Sequence, residues 1–249
     1  MKPFADHFSR VSTDYAMYRP RYPARLFELL ARAAPRCRLA WDVGTGSGQA
    51  AVGLADWFHF VVATDASAAQ VHRGERRDRV HYVVACAEAG PVRAGAADLV
   101  TVAQALHWLD PARFYTEAAR ALAPGGLVAA WTYGRIAVDD GPVDEVLNRF
   151  YVDEIGPWWP AERRWVDTGY AGLEFPFRAV EIEPPPMAER WSLHRLLGYI
   201  GTWSAVVRRR EQTGLDPMAS LAARLQPLWG LPDRHRMVHW ELTVMAGRS

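Results

Sequence analysis

The residues whose types and spacing are most informative about chemistry form a short glycine-rich segment, Asp42-Val43-Gly44-Thr45-Gly46-Ser47-Gly48. Residues 38–41 before it predict a strand, and residues 49–55 after it predict a helix. A glycine-rich turn between a strand and a helix lets the backbone approach a ligand closely at the carboxyl end of the strand. The segment therefore predicts a cofactor site.

The spacing of the glycines separates several kinds of cofactor. A dinucleotide fingerprint of the form G-x-G-x-x-G needs its third glycine at the position where this chain has Gln49. A P-loop needs G-K-[ST] after the turn, and the chain lacks that sequence. ATP hydrolysis is thus disfavoured. An NAD-linked oxidoreductase and a tight turn without any ligand remain as alternatives.

A carboxylate follows the next predicted strand. The apolar run 58–64 ends at Asp65, about 20 residues beyond the first glycine, where a carboxylate can accept hydrogen bonds from both hydroxyls of a ribose. Asp65 is also placed to cap the predicted helix 68–73, although Ser67 competes for that role. The two roles of Asp65 are compatible.

Strands and helices alternate along the first half of the chain. Further strands are predicted at 80–85, 97–103 and 127–133, and residues 114–122 have the apolar spacing of a helix. This alternation predicts an α/β fold in which a parallel sheet carries helices on both faces.

An acidic residue followed by G-x-G-x-G resembles the first motif of class I S-adenosylmethionine-dependent methyltransferases. Residues 18–23 (Tyr-Arg-Pro-Arg-Tyr-Pro), 105–108 (Ala-Leu-His-Trp) and 122–126 (Leu-Ala-Pro-Gly-Gly) narrow the resemblance to methyltransferase type 11 and its trans-aconitate methyltransferase subgroup. The resemblance covers most of the chain and is much looser on the substrate side. It implies S-adenosyl-L-methionine as cofactor, S-adenosyl-L-homocysteine as product, and a Rossmann-like seven-stranded sheet with an antiparallel last strand and a helical, aromatic-rich cap.

The resemblance also implies which residues contact the cofactor. It places Asp65 on the ribose and the loop after the third strand on adenine, with Cys86 where many relatives carry a carboxylate. It folds the N-terminal stretch over the cofactor as a lid, in which Arg19 either pairs with the cofactor carboxylate or lies at the surface. The predicted cofactor-binding residues are Tyr18, Arg19, Asp42, Gly44, Thr45, Gly46, Gly48, Asp65, Ala66, Ala87, Glu88, Gln104 and Ala105.

The segment 104–108 after the fourth strand lies, in the methyltransferase pattern, beside the methyl group that is transferred. His107 is predicted to act there as a general base, given a reference pKa of about 6.5, or as a hydrogen-bond donor. Tyr133, at the end of the fifth strand, is the second catalytic candidate. A carboxylic acid acceptor is already ionised at neutral pH and needs no base, whereas a phenol, thiol or amine gains from one.

The second half of the chain is predicted to form the substrate cap. One methyltransferase domain over 1–249 would comprise a lid and helix (1–35), a cofactor core (36–133), cap regions (134–177 and 186–232) and closing strands (178–184 and 235–247). Aromatic residues in the cap predict an apolar pocket or, alternatively, packing of its helices on the sheet. The predicted substrate-binding residues are His107, Trp108, Tyr133, Trp158, Trp159, Trp191, Tyr199 and Trp203. Arg135, Arg190 and Arg195 are available cations for a carboxylate.

Composition restricts the remaining function classes. The chain has 29 Lys and Arg against 28 Asp and Glu, so no strong charge favours nucleic acid or a membrane surface. Its two cysteines cannot form a disulfide framework or a four-cysteine zinc site, and no metal is predicted. With no apolar run near the roughly 20 residues of a membrane helix, a soluble cytoplasmic protein is expected, and the arginine bias hints at a bacterial source.

The sequence thus predicts methyl transfer from S-adenosylmethionine to a small molecule, with an oxygen and particularly a carboxylate as acceptor. N-, S- or phenolic O-methylation of a natural product is one alternative. A non-catalytic protein that only binds the cofactor is another.

Overall fold

The computed structural model describes residues 18–231 and 233–249. The strands are β1 (Leu39–Val43), β2 (Phe60–Asp65), β3 (Val80–Val84), β4 (Ala97–Ala103), β5 (Leu122–Val138), β6 (Arg178–Ala179), β7 (Met187–Trp191) and β8 (Arg236–Arg248). The longer helices are α1 (Ala24–Ala33), α2 (Gln49–Leu54), α3 (Ala68–Arg73), α4 (Pro111–Ala121), α5 (Gly141–Arg149), α6 (Arg163–Asp167), α7 (Leu193–Gly201), α8 (Ser204–Thr213) and α9 (Met218–Trp229). Short helical turns cover Leu106–Trp108, Phe150–Glu154 and Gly156–Trp158.

One eight-stranded sheet runs through the molecule in the order β3-β2-β1-β4-β5-β8-β6. Strands β1 to β5 are mutually parallel, and β8 is antiparallel to β5. The predicted α/β class and the antiparallel last strand are confirmed. Strand β7 was not predicted: it pairs with the first half of β8, while β6 pairs with its end. Part of the range assigned to the cap therefore extends the sheet beyond the seven expected strands.

The central strands β1 and β4 are buried on both faces, and their alternate residues contribute to two apolar layers. Ala40 belongs to the apolar layer that contains Leu30 of α1, whereas Trp41 belongs to the layer that contains Phe114 of α4. Trp41 and Trp131 are fully buried. This two-layered core holds the carboxyl ends of β1, β2 and β4 at one edge, where the cofactor residues were predicted.

Residues 18–23 form an N-terminal strap that joins the sheet to the cap. The backbone N–H of Arg21 donates to Oε1 of Glu189 on β7 at 3.1 Å, and its Nη2 lies 3.4 Å from Oε2 of Glu75. Residues 1–17 of the predicted lid lie outside the described residues.

The cap consists of α5 to α9 with the connecting turns. Helix α5 ends at Arg149, and a π-type turn follows it at Phe150–Glu154. Helices α8 and α9 were not predicted. Within the part of the chain that the structure describes, no helix is both long and apolar enough to cross a membrane.

Candidate active site

The glycine turn has the backbone that its sequence requires. Gly44, Gly46 and Gly48 have φ angles of +64°, +54° and +87°, a region that other residues enter only with strain. A Cβ on Gly44 would lie 2.8 Å from the Cβ of Ala105, so the turn packs directly on the loop after β4. A Cβ on Gly46 would meet nothing within 4 Å. The turn therefore presents bare backbone to an open space, as a closely bound cofactor needs.

Asp65 lies at the end of β2 and faces this turn. One carboxylate oxygen accepts the N–H of Gly46 and the other that of Ser67, each at 2.9 Å. Ser67, not Asp65, caps α3, because its Oγ accepts the N–H of Gln70. A carboxylate fixed at the end of the second strand suits a ribose diol, whose hydroxyls donate to carboxylate oxygens.

Asp42 and Thr45, both predicted to contact the cofactor, turn inward and brace the turn. Asp42 is fully buried, and its carboxylate accepts hydrogen bonds from Thr45 Oγ1 at 2.6 Å and Thr101 Oγ1 at 2.7 Å. Burial raises the pKa of Asp42 to about 6, against the opposing effect of the two threonine hydroxyls. Direct contact of Asp42 with the cofactor stays a prediction.

This raised pKa predicts a pH-dependent stability. Between pH 4 and pH 6 the folded state binds the proton of Asp42 more tightly than the unfolded state, so stability falls as the pH rises. Across this range the free energy of unfolding falls by about 3 kcal/mol, at about 1.4 kcal/mol per pKa unit. We expect the Asp42→Asn variant to lack this component. Denaturant unfolding at several pH values would measure it as the difference between the two proteins, and parallel pH curves would contradict it.

Tyr82 of β3 is a site residue that the sequence did not reveal. Its hydroxyl donates to the backbone oxygen of Glu75 at 2.8 Å, and burial raises its pKa to about 12. A Cβ on Gly48 would overlap that hydroxyl, and the ring also covers Gly74. Gly48 is thus required by the packing of Tyr82 as well as by its backbone angle.

The loop predicted to face adenine lies beside the end of β2. The N–H of Ala85 donates to the backbone oxygen of Asp65 at 3.0 Å. Ala87 is buried, and Oε1 of Glu88 accepts the N–H of Asp110 at 3.4 Å. This loop is therefore joined to the one that follows β4.

Gln104 is held in place at the end of β4. Its φ of +52° is unusual for a residue with a side chain. Its backbone N–H donates to Trp131 O at 2.9 Å, and its Nε2 donates to Tyr133 O at 3.0 Å. Thr132 Oγ1 donates to its Oε1. These contacts turn the chain sharply and direct the following residues toward the cap.

His107 contacts a second residue that the sequence did not reveal. Its Nδ1 lies 3.2 Å from the hydroxyl of Tyr170, which is buried and has a φ of +64°. Burial, with a smaller effect from the charge of Arg163, lowers the pKa of His107 to about 3. The ring is therefore neutral near pH 7 and is a weak base. This environment favours hydrogen bonding over the general-base role.

A cavity of about 210 Å³ lies between the end of β4 and the cap. Of the predicted substrate-binding residues, His107, Trp108, Trp159, Tyr199 and Trp203 line it. The remaining lining residues are Arg19, Gln104, Pro160, Arg163, Val166, Thr202, Ser204, Val207, Arg208, Glu211 and Gln212. The cavity thus joins the predicted methyl side to the aromatic cap.

Comparison with known proteins agrees with this geometry. The family described as "Methyltransferase domain" matches residues 41–130. A protein of Dictyostelium discoideum described as a methyltransferase is 32% identical over 204 residues, which are 81% of this chain and 78% of that protein. Methyltransferase cfoB of Aspergillus candidus is 30% identical over 70% of this chain and 62% of its own. A structure from Anaeromyxobacter dehalogenans, described as a type II methyltransferase, has a TM-score of 0.86 and 44% identity over 92% of this chain and 97% of its own.

The chain belongs to the class I S-adenosylmethionine-dependent methyltransferases. S-adenosylmethionine is its cofactor, and the open glycine turn and the fixed Asp65 carboxylate fit that molecule. When bound, the cofactor supplies an electrophilic methyl group on a sulfonium. The matches identify the family, and membership of the trans-aconitate methyltransferase subgroup stays a prediction.

Three predicted substrate residues of this methyltransferase lie away from the cavity wall. Trp191 is fully buried, and its ring contacts Trp240 at 4.9 Å. Tyr133 is buried between Tyr22 and Trp240, with ring centroids 6.2 Å from each. Trp158 packs against the core without lining the cavity. The alternative interpretation, packing of the cap on the sheet, describes these residues better.

The predicted cations also lie elsewhere in the methyltransferase. Arg135 forms a two-pronged ion pair with Asp144 at 3.0 and 3.1 Å. Arg195 pairs with Glu189 at 2.7 Å, and Arg190 is exposed on β7. The cavity is lined by three other arginines, Arg19, Arg163 and Arg208. Arg19 was predicted as a lid residue, but arginine is common throughout the sequence, and no signal in it separated Arg163 and Arg208 from the others.

The predicted lid residues contact the cap. The Tyr18 hydroxyl lies 3.2 Å from Nε2 of His194, and a Cβ on Gly198 would overlap the Tyr18 ring. The guanidinium of Arg19 lies 5.5 Å from the centroid of the Tyr199 ring. Arg19 therefore stands at the cavity, and its pairing with the cofactor carboxylate stays a prediction.

Proposed function

We propose that this methyltransferase transfers the methyl group of S-adenosylmethionine to an oxygen of a small molecule bound in the cavity, and that the accepting group is a carboxylate. The cavity carries the proposal, because its wall combines Gln104 and His107 from the end of β4 with arginines and aromatic rings of the cap. The glycine turn lies directly beside that strand end.

The described part of the cavity wall lacks a strong base, and this favours a carboxylate among the possible acceptors. Phenols, thiols and amines lose a proton when they are methylated, and they gain from a base with a pKa near 7. Among the described lining residues, His107 has a pKa of about 3 and Glu211 is exposed to solvent. A carboxylate is already ionised at neutral pH, so it needs only to be positioned and partly desolvated.

In the proposal, different residues bind the cofactor, exclude water and position the acceptor. The glycine turn and Asp65 hold the cofactor, and Arg19 binds its carboxylate. Trp108 and Trp159 exclude water from the reacting atoms. Nδ1 of His107 accepts the hydroxyl of Tyr170, so that Nε2 carries the hydrogen of the neutral ring and donates it to the acceptor.

The proposal also places the reaction in a bacterial cytoplasm. Support comes from the two free cysteines, Cys37 and Cys86, from the arginine bias and from the balanced charge of the chain.

Replacing His107 with glutamine tests this assignment. We expect kcat/KM to fall about 10- to 100-fold, the effect of one hydrogen bond to a charged group, with little change in S-adenosylmethionine affinity. Methyl transfer to a panel of small carboxylic acids, phenols and thiols, followed by mass spectrometry, would give both the acceptor and the rate. Methylation of phenols or thiols but never of acids would reject the carboxylate.

The exposed His59 provides the matched control. The His59→Gln variant should keep wild-type turnover. Because the pKa of His107 is about 3, the wild-type rate should show no inflection from this residue between pH 5 and pH 8. A His107→Gln variant with unaltered turnover would remove His107 from both the chemistry and substrate binding.

A further inference from the structure

Arg163, at the start of α6, is held at the cavity by an unusually complete set of contacts. Its Nε donates to Tyr151 Oη at 2.8 Å and to Asp167 Oδ1 at 3.0 Å. Tyr151 in turn donates to the same Asp167 oxygen at 2.6 Å. The guanidinium also lies over the Trp159 ring, 4.6 Å from its centroid. The hydrogen bonds to Nε and the stacking on Trp159 therefore fix the plane of the guanidinium.

The remaining donors of Arg163 are available to a ligand. Within the described residues its two Nη groups make no hydrogen bond, and its side chain is only 20% exposed. Two parallel N–H groups of a guanidinium match the two oxygens of a carboxylate. A fixed guanidinium loses little conformational entropy when it binds such a group.

The charge of the cavity wall favours an anion as well. Its charged lining residues, counted over the described chain, are three arginines and one glutamate, an excess of two positive charges. Arg208 of α8 is one of these arginines. Asp167 already pairs with Arg163, and the proposal assigns Arg19 to the cofactor carboxylate, but the arginines still make the wall electropositive, which favours an anionic ligand over a neutral one.

Trp159 supplies an independent observation. Its Nε1 is buried and has no hydrogen-bond partner among the residues that the structure describes, a state that costs about 1–3 kcal/mol. Its ring lies 5.8 Å from the Trp203 ring, and both rings line the cavity. A ligand with a flat apolar body and an accepting oxygen would cover the rings and satisfy this N–H.

We propose that the acceptor is a flat, aromatic carboxylate whose carboxylate is bound by Arg163 and whose ring packs against Trp159 and Trp203. Asp167 and Tyr151 are positioning residues that hold Arg163. Each carboxylate oxygen has two lone pairs, so pairing with Arg163 leaves two: one accepts an N–H from the cavity wall, and the other attacks the methyl group. The new C–O bond forms as the methyl–sulfur bond breaks, and S-adenosylhomocysteine leaves with that electron pair. The inference rests on the proposed function, since it names the acceptor class of the same site.

Ligand-observed NMR titrations of the full chain with S-adenosylhomocysteine test the inference without a known substrate. The probes are benzoate, its neutral analogue benzamide, and the non-aromatic cyclohexanecarboxylate. In the wild-type protein we expect benzoate to bind at least about 10-fold more tightly than benzamide, and more tightly than cyclohexanecarboxylate. Equal binding of benzoate and benzamide would overturn the proposal, and this arm needs no variant to fold.

Two neighbouring arginines give a matched pair of variants. Arg163→Gln should weaken benzoate binding about 10-fold or more and leave benzamide binding unchanged, because it removes a charge-assisted pair. Arg164→Gln should change neither, since Arg164 is exposed and lies over Trp165. Trp159→Phe, which keeps a ring and removes the N–H, should weaken benzoate by a smaller factor. Indistinguishable Arg163 and Arg164 variants of equal thermal stability would contradict the assignment.

Calorimetry with S-adenosylmethionine separates this inference from the proposed function. A wild-type protein that fails to bind S-adenosylmethionine would overturn the proposed function, whatever its preference among the probes. A protein that binds and uses S-adenosylmethionine but does not prefer benzoate to benzamide would overturn the inference alone.

Discussion

Replacing Asp65 with alanine should lower the affinity for S-adenosylmethionine about 100-fold or more. The carboxylate is fixed by the N–H groups of Gly46 and Ser67, and the family resemblance predicts that it accepts hydrogen bonds from the two ribose hydroxyls. Each hydrogen bond to a charged group contributes about 1.5–3 kcal/mol, and each 1.4 kcal/mol is about tenfold in affinity. Isothermal titration calorimetry with S-adenosylmethionine would measure the loss.

Two further variants make this measurement specific. Asp65→Asn keeps one accepting oxygen but turns an NH2 group toward a backbone N–H, so its affinity should lie between wild type and alanine. Asp153 is exposed on the π-type turn, and Asp153→Ala should bind like wild type. Wild-type affinity in Asp65→Ala would remove Asp65 from the ribose site.

Replacing Gly48 with alanine should destabilise the fold by about 2–5 kcal/mol. Its φ of +87° is left-handed, which costs a non-glycine residue about 1–2 kcal/mol. The new Cβ would also overlap the hydroxyl of Tyr82, and overpacking costs about 1–3 kcal/mol. Chemical denaturation of the purified protein would measure the difference.

Gly46→Ala separates backbone strain from packing. Its φ is +54°, and a Cβ there meets nothing within 4 Å, so we expect only about 1–2 kcal/mol of destabilisation. Its Cβ projects into the space assigned to the cofactor, so cofactor affinity should fall instead. Tyr82→Phe should partly rescue Gly48→Ala by removing the overlapping hydroxyl, although the ring carbon Cζ would remain 2.9 Å away. Equal stabilities of the two alanine variants would show that Tyr82 does not restrict position 48.

The sequence was informative wherever the structure depends on neighbours along the chain. Strands β1 to β4 lie close to the predicted ranges, because each is an apolar run bounded by turn residues. Three glycines between a strand and a helix predict the glycine turn, and the end of the next apolar run predicts the position of Asp65. The antiparallel last strand was also placed correctly, although β7 was missed: it has only five residues, contains no β-branched side chain and has Glu189 and Arg190 in its interior.

Contacts between distant segments could not be predicted from one sequence. Tyr170 meets His107 across 63 residues, and burial among distant segments, with the charge of Arg163, lowers the pKa of His107 to about 3. Tyr82 reaches Gly48 only because β3 packs beside α3 and the glycine turn. Trp159 and Trp191 are both aromatic residues of the second half, yet only the packing of the cap places Trp159 at the cavity and Trp191 in the core.

The sequence by itself determined the fold class of this methyltransferase, because hydrophobic periodicity and turn chemistry are local properties of the chain. Its motifs gave the cofactor through their resemblance to class I methyltransferases. Only the tertiary structure decided the acceptor side. There the packing of α6 and α8 brings Arg163 and Arg208 to the cavity, and burial lowers the pKa of His107. The burial of a side chain, and the meeting of side chains from distant segments, depend on the whole fold and cannot be inferred from a short segment.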